Sequence, residues 1–283
     1  MRRPLAAARN EVSPRHPSPV PRPPAAFTLI ELLVVITILG LLAGLAVPAL
    51  KNLGKSNGTV SAARQMLDAV GHARQMAIGQ HTTVYMVFVN TNFWLPINTN
   101  SPNTPQFPLV TTLSESQLSG YTFISQGRLG DQPGQRQNDW QYLSAWESLP
   151  ANTYIAAWKF YLLPPNPTYI NGGIFSVYSF ARAPLPFPTA TNNLVSLPYI
   201  AFNYLGQLTV DGVNPATADE YIPLAQGNVA FGYNGATKTP TLTTVGTGDI
   251  VENPPGNSTN SMFNLIHVDA LTGRARLEFQ KVQ

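Results

Sequence analysis

The chain has 283 residues, of which 44% are hydrophobic and 11% charged, and it contains no cysteine. This length allows one large domain or two small ones, and the hydrophobic fraction excludes a wholly disordered chain. The absence of cysteine excludes disulfide frameworks, thiolate metal sites and cysteine nucleophiles. A formal charge of +3 and a pI near 9.2 would suit a nucleic-acid partner, so the position of the charges matters.

The first 26 residues form a basic, proline-rich leader. They hold five arginines against one acid, together with seven of the chain's 26 prolines. Proline at this density lacks backbone donors and blocks helix formation, so an unfolded leader is predicted here. The rest of the chain holds 12 bases and 13 acids. The basic character therefore belongs to the leader and not to the folded protein.

An apolar segment at residues 27–53 follows the leader and is predicted to be a transmembrane helix. It has no charge from residue 32 to residue 50. Residues 27–50 would span about 36 Å as a helix, whereas a bilayer core is about 30 Å thick. A buried core helix is the disfavoured alternative, because such a helix rarely lacks a polar stripe over this length. The preceding arginines orient the N-terminus towards the cytoplasm, so residues 54–283 would be exported.

Glu31 interrupts this segment near its start. A carboxylate at membrane depth is costly unless a cation pairs with it, and no Lys or Arg lies between Arg22 and Lys51. Cleavage before Phe27 would create an α-amino group, but on a rigid helix that group would sit too close to its own Glu31 for good pairing. We therefore expect Glu31 to pair with the amine of a neighbouring chain, which links processing to assembly.

The string AFTLIELLVV at residues 26–35 resembles the cleavage and methylation signature of type IV prepilins and type II secretion pseudopilins. The resemblance implies that a prepilin peptidase cuts between Ala26 and Phe27, on the cytoplasmic side, and methylates the amine of Phe27. It also implies that Glu31 pairs with a neighbouring subunit's N-terminus in a filament. The family usually has glycine before the cut, where this chain has Ala26, and this leader is longer than most.

Three further residues of the segment suit helix assembly. Gly40 and Gly44 form a small-xxx-small pair, which permits close helix approach in lipid, although glycine is also simply common in membrane helices. Pro48 removes one helical hydrogen bond and is predicted to kink the helix near its outer end. The family often has proline at the matching position.

Residues 54–283 are predicted to form an exported α+β domain. Glycines within residues 54–59 should break or loosen the helix, which then returns from Val60 to about Gly79. Its apolar stripe should pack on a sheet, with Arg64, Asp68 and His72 off the stripe. The stripe consists of Ala63, Leu67, Val70 and Ala77.

Beyond residue 80 the pattern changes to alternating β-branched and aromatic residues, which predicts strands. The predicted strands are residues 83–89, 121–125, 154–157, 174–180, 199–204, 221–224, 228–233, 265–269 and 275–279. Long Pro- and Asn-rich loops separate them, notably at residues 90–110, 126–140, 182–198 and 234–260. The predicted fold class is therefore α+β and pilin-like: a long N-terminal hydrophobic helix packs through its C-terminal half on a mostly antiparallel sheet with long loops.

Later segments extend the resemblance to the H-type minor pseudopilins of type II secretion and the related T-type minor pilins. They are residues 143–150 followed by Tyr154-Ile155, IAFNYLGQL at residues 200–208, and LIHVDALTGRAR at residues 265–276. Locally, residues 271–274 are predicted to form a hairpin turn in which Gly273 supplies a positive φ. Residues 90–145 and 234–260 look like insertions without a counterpart in the family.

No catalytic or metal-binding motif emerges, so no cofactor and no enzymatic activity are predicted. The four histidines (His16, His72, His81 and His267) lack metal-ligand spacing, and no phosphate loop or dinucleotide fingerprint is present. A G-x-S-x-G string at residues 54–58 lacks the strand-to-helix context of a nucleophile elbow. Loop acids could bind Ca²⁺, but solvated loop charge is the favoured interpretation. These acids are Asp211, Asp219, Glu220, Asp249 and Glu252, and the four tryptophans (Trp94, Trp140, Trp146, Trp158) are interpreted as core or loop anchors.

The sequence therefore predicts a structural subunit of a type II secretion pseudopilus or type IV pilus-like filament. Its expected partners are other pilins or pseudopilins, the prepilin peptidase and an inner-membrane assembly platform. It would span the inner membrane once, with a periplasmic C-terminal domain, before entering the filament. Two alternatives stay open: a DNA-binding minor pilin, and a membrane-tethered enzyme or ligand-binding domain. Residues 55–283 hold 11 bases against 12 acids, which disfavours nucleic acid, although Arg274, Arg276 and Lys281 could form a local patch.

Overall fold

The computed structural model describes residues 28–91, 112–127, 140–160, 167–170, 173, 175–190, 194–230, 250–259 and 264–278, except the side chains of residues 45–57 and 169. The chain divides into two compact units, Met1–Leu50 and Lys51–Gln283. The sheets and cores described below belong to the second unit.

One α-helix, α1, runs without interruption from Leu29 to Gln80. The predicted break at residues 54–59 is therefore wrong. A glycine inside a helix costs only about 1 kcal/mol relative to alanine, and the turns on both sides of Gly54 and Gly58 are helical. The helix ends at His81, which has a φ of 53°. The amide of Thr82 donates to the carbonyl of Ala77 at 3.3 Å, the bond of a Schellman cap.

The C-terminal part of α1 packs through a stripe of small side chains. The predicted stripe is confirmed at Ala63, Val70 and Ala77, whereas Leu67 is only half-buried. Further members of the stripe that are buried in the main core are Ala62, Met66, Ala69 and Ala73. Small side chains let the helix backbone approach the sheets closely. The helix-on-sheet arrangement predicted for this part of the chain is confirmed.

A seven-stranded antiparallel sheet packs against this stripe. Its order is β10-β9-β1-β2-β3, with β4 paired to β2 and β8 paired to β9. The strands are β1 (Thr83–Phe88), β2 (Gly120–Gln126), β3 (Trp140–Tyr142), β4 (Glu147–Ser148), β8 (Ala181–Pro186), β9 (Leu194–Phe202) and β10 (Leu208–Thr209). Alternation in β1 sends Val84, Met86 and Phe88 towards the helix. Tyr85 and Val87 belong to a second core on the opposite face.

A five-stranded antiparallel sheet completes the main core. Its order is β12-β11-β13-β14, with β5 paired to β11. The strands are β5 (Thr153–Ile155), β11 (Glu220–Val229), β12 (Ile250–Glu252), β13 (Asn264–Val268) and β14 (Ala275–Glu278). Ile222 and Ile266 reach the core beneath α1. A 3₁₀ helix at Ala157–Phe160 precedes a small hairpin of β6 (Thr168–Ile170) and β7 (Phe175–Val177).

The α+β prediction is confirmed, but several boundaries are wrong. The predicted loop at residues 182–198 holds most of β8 and the first part of β9. Pro184 and Pro186 lie in β8, which among the described strands pairs only with β9, and such an edge position tolerates proline. Residues 221–224 and 228–229, predicted in two strands, belong to one strand, β11, and residues 231–233 of the second prediction lie outside the described residues. The short strands β3, β4, β6, β10 and β12 were not predicted.

Candidate functional site

The candidate assembly site begins at the N-terminal end of α1. Ala26 and Phe27, the residues of the predicted cleavage, lie outside the described residues. Thr28 is the first described residue, and it precedes the first helical residue, Leu29. Thr28 is therefore the N-cap of the helix, and Glu31 is the third helical residue.

Thr28 and Glu31 form a capping arrangement. The amide of Glu31 donates to Thr28 Oγ1 at 3.3 Å, and Thr28 Oγ1 donates to Glu31 Oε2 at 3.4 Å. The spacing T-x-x-E is that of a capping box, and an acid in the first turn also suits the helix dipole. Sequence analysis assigned Glu31 to assembly alone and missed this local role, although the T-x-x-E spacing in the sequence is a signal that could have found it.

Apolar side chains dominate the surface of α1 beyond this cap. Leu29 is 82% exposed and Leu41 69% exposed, and nine further large hydrophobic residues of this segment are also exposed. These residues are Ile30, Leu32, Leu33, Val34, Val35, Ile36, Ile38, Leu39 and Leu42. An exposed apolar surface this large marks an interaction surface with a protein or a membrane.

Gly40 and Gly44 lie one helical turn apart on this segment. A Cβ atom built at either position would meet nothing within 4 Å, so neither glycine is required by packing inside the described chain. Their contact with another helix stays a prediction. The side chain of Pro48 lies outside the described residues, and the helix continues through this position.

No membrane-spanning helix is found within the part of the chain that the structure describes.

His267 is the centre of a polar cluster that sequence analysis did not single out. Its Nε2 lies 2.7 Å from Asp219 Oδ2, and its Nδ1 lies 2.8 Å from Glu278 Oε1. The ring stacks on Tyr221, with 4.6 Å between ring centroids. The two carboxylates approach opposite ring nitrogens, so the three groups do not converge on one point. The cluster joins β11, β13 and β14. No signal in the sequence places Asp219 beside a histidine 48 residues away.

Two of the acids predicted to lie in loops lie in strands, Glu220 in β11 and Glu252 in β12, so the loop prediction is wrong for them. The described acids have partners within the domain. The carboxylate of Asp211 accepts hydrogen bonds from the amides of Val213 and Asn214, each at 2.8 Å. These and further hydrogen bonds hold the pKa of Asp211 far below its usual value. Glu220 forms an ion pair with Lys159, whose side chain is fully buried. Within the described residues, no group of three or more His, Asp or Glu side chains is arranged to hold a metal ion. Asp249 lies outside these residues.

The basic residues near the C-terminus lie beside acids. Arg276 Nη2 donates to Glu278 Oε1 at 2.8 Å, and the pKa of Arg276 is raised mainly by this hydrogen bond. Burial would raise the pKa of Glu278, but hydrogen bonds from Arg276 and His267 bring it below its usual value. Arg274 is exposed, and Lys281 lies outside the described residues. Among the described residues near the C-terminus, the local charge is therefore mixed.

The predicted tryptophan anchors are confirmed where they are described. The indole nitrogen of Trp158 donates to the carbonyl of Ser258 at 3.0 Å, and that of Trp146 donates to Pro188 at 3.4 Å. Trp140 packs edge-on against Tyr85 in the second core. Trp94 lies outside the described residues.

Comparison with known proteins gives one match. Residues 22–47 match the prokaryotic N-terminal methylation motif, a span that includes Ala26, Phe27, Glu31, Gly40 and Gly44. Comparison with curated proteins and with solved structures finds no match. The motif fits a membrane-anchored pilin, and the α+β fold described above is compatible with it. Together, the motif and the fold support a type IV pilin-like or pseudopilin-like protein.

Proposed function

We propose that the chain is a structural subunit of a type II secretion pseudopilus or of a type IV pilus-like filament, and not an enzyme. It is made as a precursor that spans the inner membrane once, with its leader in the cytoplasm and residues 54–283 in the periplasm. A prepilin peptidase removes residues 1–26, and an assembly platform adds the subunit to other pilins or pseudopilins. A minor subunit is the favoured role, because the later motifs resemble H-type and T-type minor subunits.

The exposed apolar surface of α1 is the observation that carries this proposal. Leu29, Ile36 and Leu41 are all more than half exposed, although residues 32–50 of the helix carry no charge. Burying apolar surface is worth roughly 25 cal/mol per Å². This surface therefore needs lipid before assembly and other helices after it. A helix that can exchange one apolar environment for the other suits a filament subunit.

Glu31 gives the assembly its direction in this proposal. Its carboxylate is exposed, and its side-chain contact in the described chain is a 3.4 Å hydrogen bond from a neutral hydroxyl. A neutral partner leaves the charge uncompensated, and an uncompensated charge in lipid costs a few kcal/mol or more. The α-amino group of a neighbouring processed chain would supply the cation. Insertion into the bundle is then favourable only where another subunit is present.

Two substitutions separate pairing from capping. Glu31→Gln keeps a side chain that can accept a hydrogen bond from Thr28 but removes the charge. Thr28→Ala removes the cap and leaves the charge. Both chains would be expressed in a cell that makes the filament, and the amount in sheared filaments measured by immunoblotting. We expect Glu31→Gln to lose most of its incorporation and Thr28→Ala to retain it. Normal incorporation of Glu31→Gln would contradict the pairing.

Processing is tested separately by mass spectrometry of the chain from the same cells. We expect an N-terminus at Phe27 that carries one methyl group. Ala26→Gly, which restores the residue usual in the family, should be processed at least as completely. Ala26→Leu should retain the leader, because the position before the cut requires a small residue. A wild-type chain that keeps residues 1–26 would contradict the proposal.

A further inference from the structure

A cleft opens between the two large sheets. It has a volume of about 250 Å³ and lies where the seven-stranded sheet, at β9 and β10, meets the start of β11. Its walls include three tyrosines, Tyr178, Tyr199 and Tyr221, and two adjacent acids, Asp219 and Glu220. Ligand pockets commonly combine apolar and aromatic walls with a few fixed polar groups. The assembly role proposed above does not use this cleft.

Tyr178 provides an exposed aromatic surface at the cleft. Its side chain is 52% exposed, whereas those of the nearby Val177 and Phe180 are buried. The backbone at this position is fixed, because the carbonyl of Tyr178 accepts a hydrogen bond from the ammonium of Lys159 at 2.5 Å. A ring that remains exposed on a fixed backbone can take up a ligand without a prior rearrangement of the chain.

The two acids are held in position by hydrogen bonds within the domain. Asp219 Oδ1 accepts from the amide of Ala270 at 2.8 Å, and its other oxygen lies against His267. Glu220 Oε1 accepts from Lys159 and from the amide of Tyr221. Both side chains stay partly exposed, at 36% for Asp219 and 23% for Glu220. Each carboxylate can therefore still accept hydrogen bonds from a ligand.

The charge around these acids decides which ligand class fits. Glu220 already has a buried cation, Lys159, as its partner, and Asp219 has the ring of His267. A cationic ligand would therefore compete with Lys159 for Glu220 and with the hydrogen bond between Asp219 and His267. A neutral ligand with hydroxyl donors would use the remaining lone pairs, and the apolar face of a sugar ring would pack on an aromatic side chain. The volume suits one such ring.

We propose that this cleft binds one neutral hexopyranose unit, with the ring face on Tyr178 and hydroxyl groups donating to Asp219 and Glu220. The full chain would be purified in a detergent without a sugar headgroup, since a glucoside or maltoside would occupy the cleft. Saturation-transfer difference NMR would then be recorded with methyl glucoside, methyl galactoside and methyl N-acetylglucosaminide. We expect transfer to the ring protons of at least one of the three sugars.

Three variants test the position of the sugar. Tyr178→Ala should weaken binding about tenfold, equivalent to about 1.4 kcal/mol. Tyr178→Phe, which keeps the ring, should bind like the wild type. Leu205→Ala removes a side chain of similar exposure, 57%, outside the cleft and should also leave binding unchanged. No transfer to any of the three sugars would overturn the proposal. Unchanged binding by Tyr178→Ala would also overturn it. None of these results depends on filament assembly.

Discussion

Lys159 is a cation with no exposed side-chain surface. It pairs with Glu220, and its ammonium lies 4.6 Å from the ring centroid of Phe180. Burial lowers the pKa of Lys159, while the carboxylate of Glu220 acts in the opposite direction. Between the lowered pKa of Lys159 in the folded chain and its ordinary value, the unfolded chain binds more protons than the folded chain does. This group therefore contributes a stability that rises with pH until Lys159 is also deprotonated in the unfolded chain, near its ordinary value of 10.5.

The two halves of this pair should not be equivalent on mutation. Glu220→Gln leaves a buried charge without a partner and should cost about 3–5 kcal/mol of unfolding free energy. Lys159→Met fills a similar volume with an apolar chain and leaves Glu220 partly in water, so it should cost clearly less. Urea unfolding followed by circular dichroism measures both. Equal losses for the two variants would show that the ion pair is not the source of the effect.

Tyr121 carries a second prediction at the scale of one residue. Burial, followed by its contact with Glu147, raises the pKa of Tyr121 to about 12, although a hydrogen bond from Gln65 opposes this shift. The hydroxyl of Tyr121 ionises near pH 10.0 in the unfolded chain and near pH 12 in the folded chain. Stability from the protonated hydroxyl is thus complete below pH 10 and decreases as pH rises towards 12. The unfolding free energy of Tyr121→Phe, measured by urea unfolding at several pH values, should therefore decrease less steeply over this range than that of the wild type. Tyr178→Phe, at an exposed position, is the control. Identical alkaline profiles would contradict the prediction.

At the scale of elements, two tight turns that are far apart in the sequence come into close contact. The turn after β9 contains Gly206, with a φ of 78°, and the turn between β13 and β14 contains Gly273, with a φ of 62°. A Cβ atom on Gly273 would lie 2.0 Å from the carbonyl oxygen of Gly206. Arg74 of α1 donates to the carbonyl of Thr272 at 2.7 Å. The predicted positive φ at Gly273 is confirmed, and the turns and the helix form one contact.

A pair of glycine substitutions tests this contact. Gly206→Ala would place a Cβ 2.6 Å from Ile78 Cδ1 on a backbone with positive φ. It should cost about 1–3 kcal/mol. Gly71→Ala, on the same helix as Ile78, meets nothing within 4 Å and should stabilise the protein by about 0.5–1 kcal/mol. Thermal unfolding of the two variants should therefore move in opposite directions. A shift of both melting temperatures in the same direction would contradict the proposed close packing.

Elements with local periodicity could be predicted, and elements that depend on partners could not. The alternation of TVYMVF predicted β1, and the small-residue stripe predicted the packed face of α1. β8, with the sequence ARAPLP, shows no strand signal because its two prolines are tolerated only at an edge. The two-residue strands β4 and β10 exist only because β2 and β9 pair with them. Their sequences alone carry too little information.

At the scale of the whole molecule, the residues of the proposed assembly site could be predicted from the sequence, whereas the cleft could not. Phe27, Glu31 and the two glycines lie within 18 consecutive residues, and the methylation motif covers them. The cleft instead combines Tyr199 of β9 with Tyr178, which follows β7, and Asp219, which precedes β11. Those residues become neighbours only when the two sheets pack, which no short motif records. The capping of α1 by Thr28 is an intermediate case. Its T-x-x-E pattern is local and could have been predicted, but the sequence analysis assigned Glu31 to assembly alone.

Net charge gives a prediction that separates the filament subunit from a DNA-binding pilin. The leader carries five arginines and one acid, whereas residues 55–283 carry 11 bases and 12 acids. DNA affinity that depends on phosphate contacts falls steeply with salt. We expect the precursor to be retained weakly on immobilised DNA at low salt through its leader, and a chain that starts at Phe27 to elute at once. The measurement is retention across a salt gradient, with both chains in the same detergent.

Salt-sensitive retention of the processed chain that is lost in Arg274→Glu would instead favour DNA uptake. The double variant Arg276→Glu and Glu278→Arg keeps net charge and tests whether any such retention depends on that ion pair.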